Sequence, residues 1–248
     1  MPQPHPRIAT WNLERPKQNS WAKNPRLLSQ VNVINADLWI LTETNAAIAL
    51  TGYEPVQSLP LQNYHQQGEN FVTLWSRWPI LQQLPTFDPV YAVCAEVDSP
   101  WGAMIVYGTL IVYRDEPDAH GQVIQWQEHR RSLRQNCEDW ARLRKDYPQH
   151  KFCIAGDFNQ NLDDTVWYGD REAREFLCTA LEQLQLRCCT TKDFRAAGFS
   201  RATIDHIFLS KDLDSHFIEM AAWEGINPAR EKMSDHNGVW VELKLPTP

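Results

Sequence analysis

The chain has 248 residues, 43% of them hydrophobic, which is enough for one large domain with a substantial core. Its 31 acidic residues outnumber the 24 basic ones, for a net charge of −7. That balance argues against a tight, sequence-blind binder of nucleic acid held by a basic field, but leaves room for a protein that meets phosphates through a bound cation.

The N-terminus, MPQPHPRIATWN, has no charged segment followed by a long apolar run, so no secretory signal is expected. Arg7–Leu13 reads as a strand, followed by a polar stretch with Pro16 and Pro25. In Arg26–Asn35 the apolar residues Leu27, Leu28, Val31 and Ile34 fall on one helical face. Leu38–Thr42 is a continuous apolar run, which predicts a strand covered on both sides. Phe71–Trp75, Ile80–Leu84, Ala92–Val97 and Met104–Val112 are strands separated by prolines, in a succession that suggests antiparallel pairing. Ile124–Tyr147 is a long charged helix stopped by Pro148. After the strand Lys151–Ala155 comes a second amphipathic helix, Arg171–Leu184. Thr203–Leu209, Phe217–Trp223 and Gly238–Leu245 complete the strands.

No linker or repeat divides the chain, so residues 1–248 are read as a single α/β domain of stacked sheets with helices outside. No stretch approaches the ~20 apolar residues of a membrane span. The six cysteines form no C-x-x-C pair, and reduced, mostly buried thiols point to a cytoplasmic protein. Eleven tryptophans exceed what such a core needs, so some should line a surface cleft.

Polar groups gather where apolar strands end. Four strands are read as ending in acid or amide groups: Trp11-Asn12, Leu41-Thr42-Glu43, Gly156-Asp157-Phe158-Asn159 and Ser234-Asp235-His236. Asp205 lies within the apolar run Thr203–Leu209. One such group is commonly a turn former. Several mounted on strands are better explained by a shared site, because buried carboxylates are costly without a partner or a cation.

The segments ATWNLE, ADLWILTET, LWSRWPI, IAGDFNQN, TIDHIFLS and MSDHNGVWVEL, spanning about Ile8 to Leu243, resemble the endonuclease/exonuclease/phosphatase superfamily in order and spacing. That superfamily holds pancreatic-type deoxyribonucleases, abasic-site endonucleases, neutral sphingomyelinases and inositol-polyphosphate 5-phosphatases. The resemblance implies a four-layer α/β sandwich, with two mixed sheets packed face to face and helices outside. It also implies a phosphoester hydrolase dependent on Mg²⁺ or Mn²⁺. Glu43 and Asp235 are hard oxygen donors suited to such a cation, Asn12 adds an amide oxygen or positions the phosphate, and Glu14 is an outer candidate. Asp157 is the group to activate or orient the attacking water, with Asn159 beside it. His236 is the partner of the phosphoryl group, its tautomer fixed by Asp205, while strand alternation turns His206 to the opposite face.

One departure stands out. Many relatives carry His or Tyr at the end of the strand that here reads MIVYGTLIVYRDEP, where this chain has Leu110; Tyr113 is the nearest substitute. The loop Thr190–Ala202, with Phe194, Phe199, Lys192, Arg195 and Arg201, is read as the place where a base could stack and its phosphate be held. The expected substrate is a nucleic-acid phosphodiester, single-stranded or short, with no obligate protein partner. The alternatives are a small phosphorylated metabolite or lipid head group, and a non-catalytic binding protein of the same fold.

Overall fold

The computed structural model describes residues 5–60 and 66–246. Among these residues, twelve strands form two mixed six-stranded sheets. The first contains β1 (Arg7–Asn12), β2 (Leu38–Asn45), β3 (Glu54–Gln57), β4 (Glu69–Ser76), β11 (Phe217–Trp223) and β12 (Gly238–Leu243), in the order β11-β12-β1-β2-β4-β3. The second contains β5 (Ile80–Leu84), β6 (Ala92–Ser99), β7 (Gly102–Leu110), β8 (Lys151–Asp157), β9 (Leu186–Cys188) and β10 (Asp205–Ser210), in the order β5-β6-β7-β8-β10-β9. Helix α1 (Lys23–Ile34) covers the first sheet, and α2 (Gln127–Asp146) and α3 (Arg171–Gln183) cover the second. This is the four-layer α/β sandwich expected from the sequence.

Strand alternation sorts the side chains into three apolar layers. On β1, Ile8 packs between the sheets while Ala9 and Trp11 face α1. On β8, Cys153 and Ala155 face the first sheet while Phe152 and Ile154 face α2 and α3. On β10, Ile207 and Leu209 point between the sheets, and Phe208 points to the helices. Continuing each inter-sheet row toward one edge gives Asn12 on β1, Asp157 on β8 and Asp205 on β10. The hydrophobic seam therefore ends in polar groups that face each other from opposite sheets.

Two strands escape sequence reading, β3 and β9. The first carries Pro55 at a sheet edge, where a missing N–H is tolerated. The second is only three residues long. Ser234–His236 is no strand end; it lies on the loop that leads into β12.

His206 is fully buried on the helix-facing side of β10, bonded to Thr190 Oγ1 (2.9 Å) and to the Gln160 carbonyl (3.0 Å). Burial lowers it from 6.5 to about 4, so it stays neutral in the fold at neutral pH. Between those two values the unfolded chain binds the proton and the folded chain does not. Stability contributed by this site is thus lost as pH falls from 6.5 toward 4, by about 3 kcal/mol. Urea unfolding across that window should show a shallower acid loss in His206→Gln than in the wild type; equal slopes would refute it.

Candidate active site

Asn12 sits at the centre of the polar cluster. Its side-chain amide donates to Asp157 Oδ2 (2.9 Å) and to Glu43 Oε1 (3.1 Å), and its backbone N–H donates to Asp205 Oδ1 (3.0 Å). One residue of the first sheet thus fixes two acids of the second. Its own amide oxygen accepts the Glu14 N–H at 2.8 Å, so that oxygen is already engaged.

Asp157 and Asp205 are directly opposed in the antiparallel pairing of β8 and β10, and both are fully buried. Like charges so placed repel, and burial adds to the cost. Burial, above all, raises both carboxyls above their ordinary value. The offset comes from His236, whose Nδ1 lies 2.6 Å from Asp205 Oδ2 and whose Nε2 lies 3.9 Å from Asp157 Oδ2. Burial opposes the imidazolium, yet Asp205 and Asp157 outweigh it and raise His236 to about 10. Nδ1–H donates to Asp205, so Nε2–H is the donor presented to the cleft.

Backbone geometry aims these groups. Gly156 precedes Asp157 with φ near +142°, and a Cβ there would collide with the Thr109 carbonyl oxygen, so only glycine fits. Asn159 adopts φ +48°, receives the Asp157 carboxylate on its backbone N–H (2.8 Å), and anchors its amide on the Ile111 carbonyl (2.9 Å). Glu43 has φ +45°, which breaks the alternation of β2. Strict alternation would place it beside Leu41 on the α1 side; the left-handed turn brings it to Asn12 instead. The loop before β12 is stapled by Ser234, whose hydroxyl donates to the Asn12 carbonyl (2.6 Å) and accepts the His236 N–H (3.1 Å). Trp11 adds a bond from its indole to the His236 carbonyl (3.1 Å).

The structure thus brings together Asn12, Glu43, Asp157, Asn159, Asp205 and His236, with the half-buried Asp235 next to them in sequence and in electrostatic reach of Glu43. Glu14 is not among them: its carboxylate pairs with Lys23 (3.2 Å) and with Lys232. Tyr113 lines the cleft that opens over His236, a space of about 340 Å³ shared with Asn159, Trp167, Tyr168, Arg201 and Asp235. Of the predicted loop, only Arg201 and Ala202 reach this cleft. Phe194 is 3% exposed and stacks on Phe199 at 5.3 Å against the inter-sheet core, and the half-buried Phe199 lines a separate cleft with Trp223 and Met233, so neither ring lines the cleft over His236.

Sequence reading missed Trp167, Tyr168 and His129. His129, on α2, is fully buried and donates from Nδ1 to the Val112 carbonyl (2.8 Å). With Asn159 on Ile111, it clamps the segment that carries Tyr113. The signal available for Trp167 was a large aromatic inside the turn-rich stretch NLDDTVWYGD, where no core position is expected.

Burial also raises Glu43, with Asp157 and Asp235 adding to it; the Asn12 bond works the other way. Four carboxylates meet here, and His236 is the cationic group that acts on Glu43, Asp157 and Asp205 alike. Such an excess of buried and half-buried acid fits a divalent cation. Asp157, Asp205 and His236 also lie close enough to ligate, with candidate atoms within 4.8 Å of one another, but Asp205 is bonded to His236, and Asp157 to Asn12 and Asn159.

Among known structures, the Neisseria 3' phosphatase NExo bound to product DNA hairpin matches at 19% identity and a TM-score of 0.70, over 96% of this chain and 99% of that one. An AP endonuclease from Archaeoglobus fulgidus matches at 15% identity and 0.69, over 96% and 99%. The endonuclease domain of TRAS1, a telomere-specific non-LTR retrotransposon, matches at 16% identity and 0.68, over 98% and 100%. Identities this low establish a shared fold alone. A search of curated protein sequences finds no match. The profile of the Endonuclease/Exonuclease/phosphatase family aligns with residues 9–236, from β1 through His236, and the chain belongs to that family.

Proposed function

We propose that this protein is a divalent-cation-dependent phosphoester hydrolase, Mg²⁺ or Mn²⁺ serving as the cation, whose substrate is a nucleic-acid phosphodiester. The observation that carries the reading is the meeting of Asp157, Asp205 and His236 with Asn12 and Glu43 at the facing ends of two sheets. Glu43 and Asp235 would hold the cation, which supplies charge neutralisation at the scissile phosphate. Asp157, fixed by Asn12 and Asn159, orients the attacking water and takes its proton; its raised carboxyl is nearer the working pH than an ordinary aspartate. His236 donates from Nε2 to a phosphoryl oxygen, and Asp205 keeps it oriented and charged. Tyr113 supplies a further donor at the cleft wall.

The surface favours a short footprint. On α2, Arg130, Arg131, Arg134 and Arg142 pair with Asp170, Glu128, Glu172 and Asp139, so this helix offers little net field to a duplex. The same observation keeps a compact phosphorylated metabolite as the second reading. A panel of single-stranded DNA, duplex DNA, RNA, inositol phosphates and sphingomyelin, run with Mn²⁺ at low salt, separates the two. Turnover of a small phosphomonoester alone would overturn the nucleic-acid assignment.

Two further outcomes are expected. Glu43→Gln should weaken Mg²⁺ binding measured by calorimetry by at least about tenfold; unchanged binding would remove Glu43 from the cation site. His129→Ala should lower kcat/KM by about tenfold, mainly through KM, as Val112 and Tyr113 lose their anchor. His129→Asn, which keeps a donor there, should recover most of it. Equal losses in both variants would assign His129 to packing alone.

A further inference from the structure

The cleft has an aromatic wall of which the hydrolytic reading uses only the Tyr113 hydroxyl. Trp167 is 36% exposed and Tyr113 46%, and both line the space occupied at its reactive end by Asn159 and His236. An exposed tryptophan beside a catalytic cluster could be an accident of a loose loop. This loop is not loose. Asn161 is fully buried and donates to the Thr165 carbonyl (2.8 Å); its Oδ1 accepts the Tyr168 N–H (2.9 Å) and its own N–H donates to the Tyr168 carbonyl (2.9 Å). Asp163 adds a bond from the Thr165 hydroxyl (2.7 Å). Behind Trp167 runs a column of rings: Tyr168 at 6.3 Å, Trp126 at 5.4 Å from Tyr168, and the buried His129 at 5.0 Å from Trp126. Trp167 is therefore held out toward solvent by a preformed support, with little ordering cost left for a ligand that covers it.

We infer that Trp167, with Tyr113 across the cleft, forms a subsite for one unpaired nucleobase next to the scissile phosphate. The inference rests on the phosphodiesterase reading above and gives it a substrate preference. A cleft of about 340 Å³ is of the size of one nucleotide unit. The net charge of −7 supplies no general attraction for a polyanion, so grip must come from local contacts. Ring stacking is such a contact, and it needs a base whose face is free, as in a single strand or at a frayed end. Arg201 lines the same cleft, tied by one nitrogen to the Asp235 carbonyl (2.7 Å), and stands where a neighbouring phosphate would lie. Inositol phosphates lack a planar ring to stack on this wall, and a choline head group would meet it by cation–π contact instead, which the sphingomyelin arm of the substrate panel reads.

The test compares two single-stranded oligonucleotides with Mn²⁺, one normal and one carrying tetrahydrofuran units in place of bases around the cleaved bond. Trp167→Ala should raise KM for the normal strand by roughly 5- to 150-fold and leave the base-free strand unchanged. Trp167→Phe should restore most of the loss. Binding of a fluorescein-labelled oligothymidylate to the Asp157→Asn protein, read by anisotropy, should weaken in the same proportion when Trp167→Ala is added. If Trp167→Ala affects both strands equally or neither, the base subsite is wrong while the hydrolase reading stands. If the folded wild-type protein cleaves neither strand, the hydrolase reading fails and the subsite with it.

Discussion

Asp157→Asn should reduce kcat by about 10²- to 10⁴-fold while leaving the protein folded and no less stable. The two halves of this expectation have separate physical origins. An amide cannot accept the proton of the attacking water, so the chemical step loses its base. The same change removes one of two buried carboxylates that oppose each other across β8 and β10. The amide oxygen of the substituted side chain can accept from only one of the two donors that the carboxylate oxygens serve, Asn12 or the Asn159 backbone; the loss of the other bond is offset by relief of the opposed charges, so the frame that holds the site persists. Thermal unfolding should show Tm unchanged or raised, as expected where a site is arranged for reactivity at the expense of stability. A large loss of Tm together with activity would instead assign Asp157 a structural role.

His236→Ala should cost both activity and stability. Loss of the Nε2 donor removes charge stabilisation at the phosphoryl group, again about 10²- to 10⁴-fold in kcat. Loss of Nδ1 strips Asp205 of its charged partner and leaves the Asn12 backbone N–H donating to it. Breaking one side of a buried charge pair costs about 3–5 kcal/mol. The double variant His236→Ala, Asp205→Asn should regain most of that stability and none of the activity, because the stranded carboxylate is gone but the donor is still missing. Urea unfolding of the two variants checks the first part, and turnover of a phosphodiester the second. If the single variant is as stable as the wild type, the His236–Asp205 pair does not carry the charge balance of the site.

Much of the fold was legible because its strands are long, apolar and bounded by proline or glycine. Leu38–Thr42 and Lys151–Ala155 announce buried strands by unbroken hydrophobicity, and both are buried in the structure. The short edge strands β3 and β9 carry no such run and pass unnoticed. Among the site residues, Asn12, Asp157 and Asp205 could be found because each stands in phase with an apolar row on its strand. Glu43 is out of phase and was legible only as the acid that ends an apolar strand; its left-handed backbone is invisible to alternation. The base-stacking reading does not hold for Phe194, which is buried, and Phe199 lines a different cleft, for a general reason. An aromatic in a loop can cap a core as readily as face solvent, and sequence does not distinguish the two. Trp167 shows the converse, exposed because a network around Asn161 turns its loop outward. Among the described residues no helix is long and apolar enough to cross a membrane.

Cation dependence is tested most directly by hydrolysis of a single-stranded oligonucleotide by purified protein, followed before and after chelation. Turnover is expected with Mg²⁺ or Mn²⁺; it should stop with chelator, return when the cation is restored, and be deeply reduced in Glu43→Gln at sub-saturating metal. Turnover that is indifferent to chelator would contradict a cation held by Glu43 and Asp235, as would a folded wild-type protein that binds no divalent cation by calorimetry.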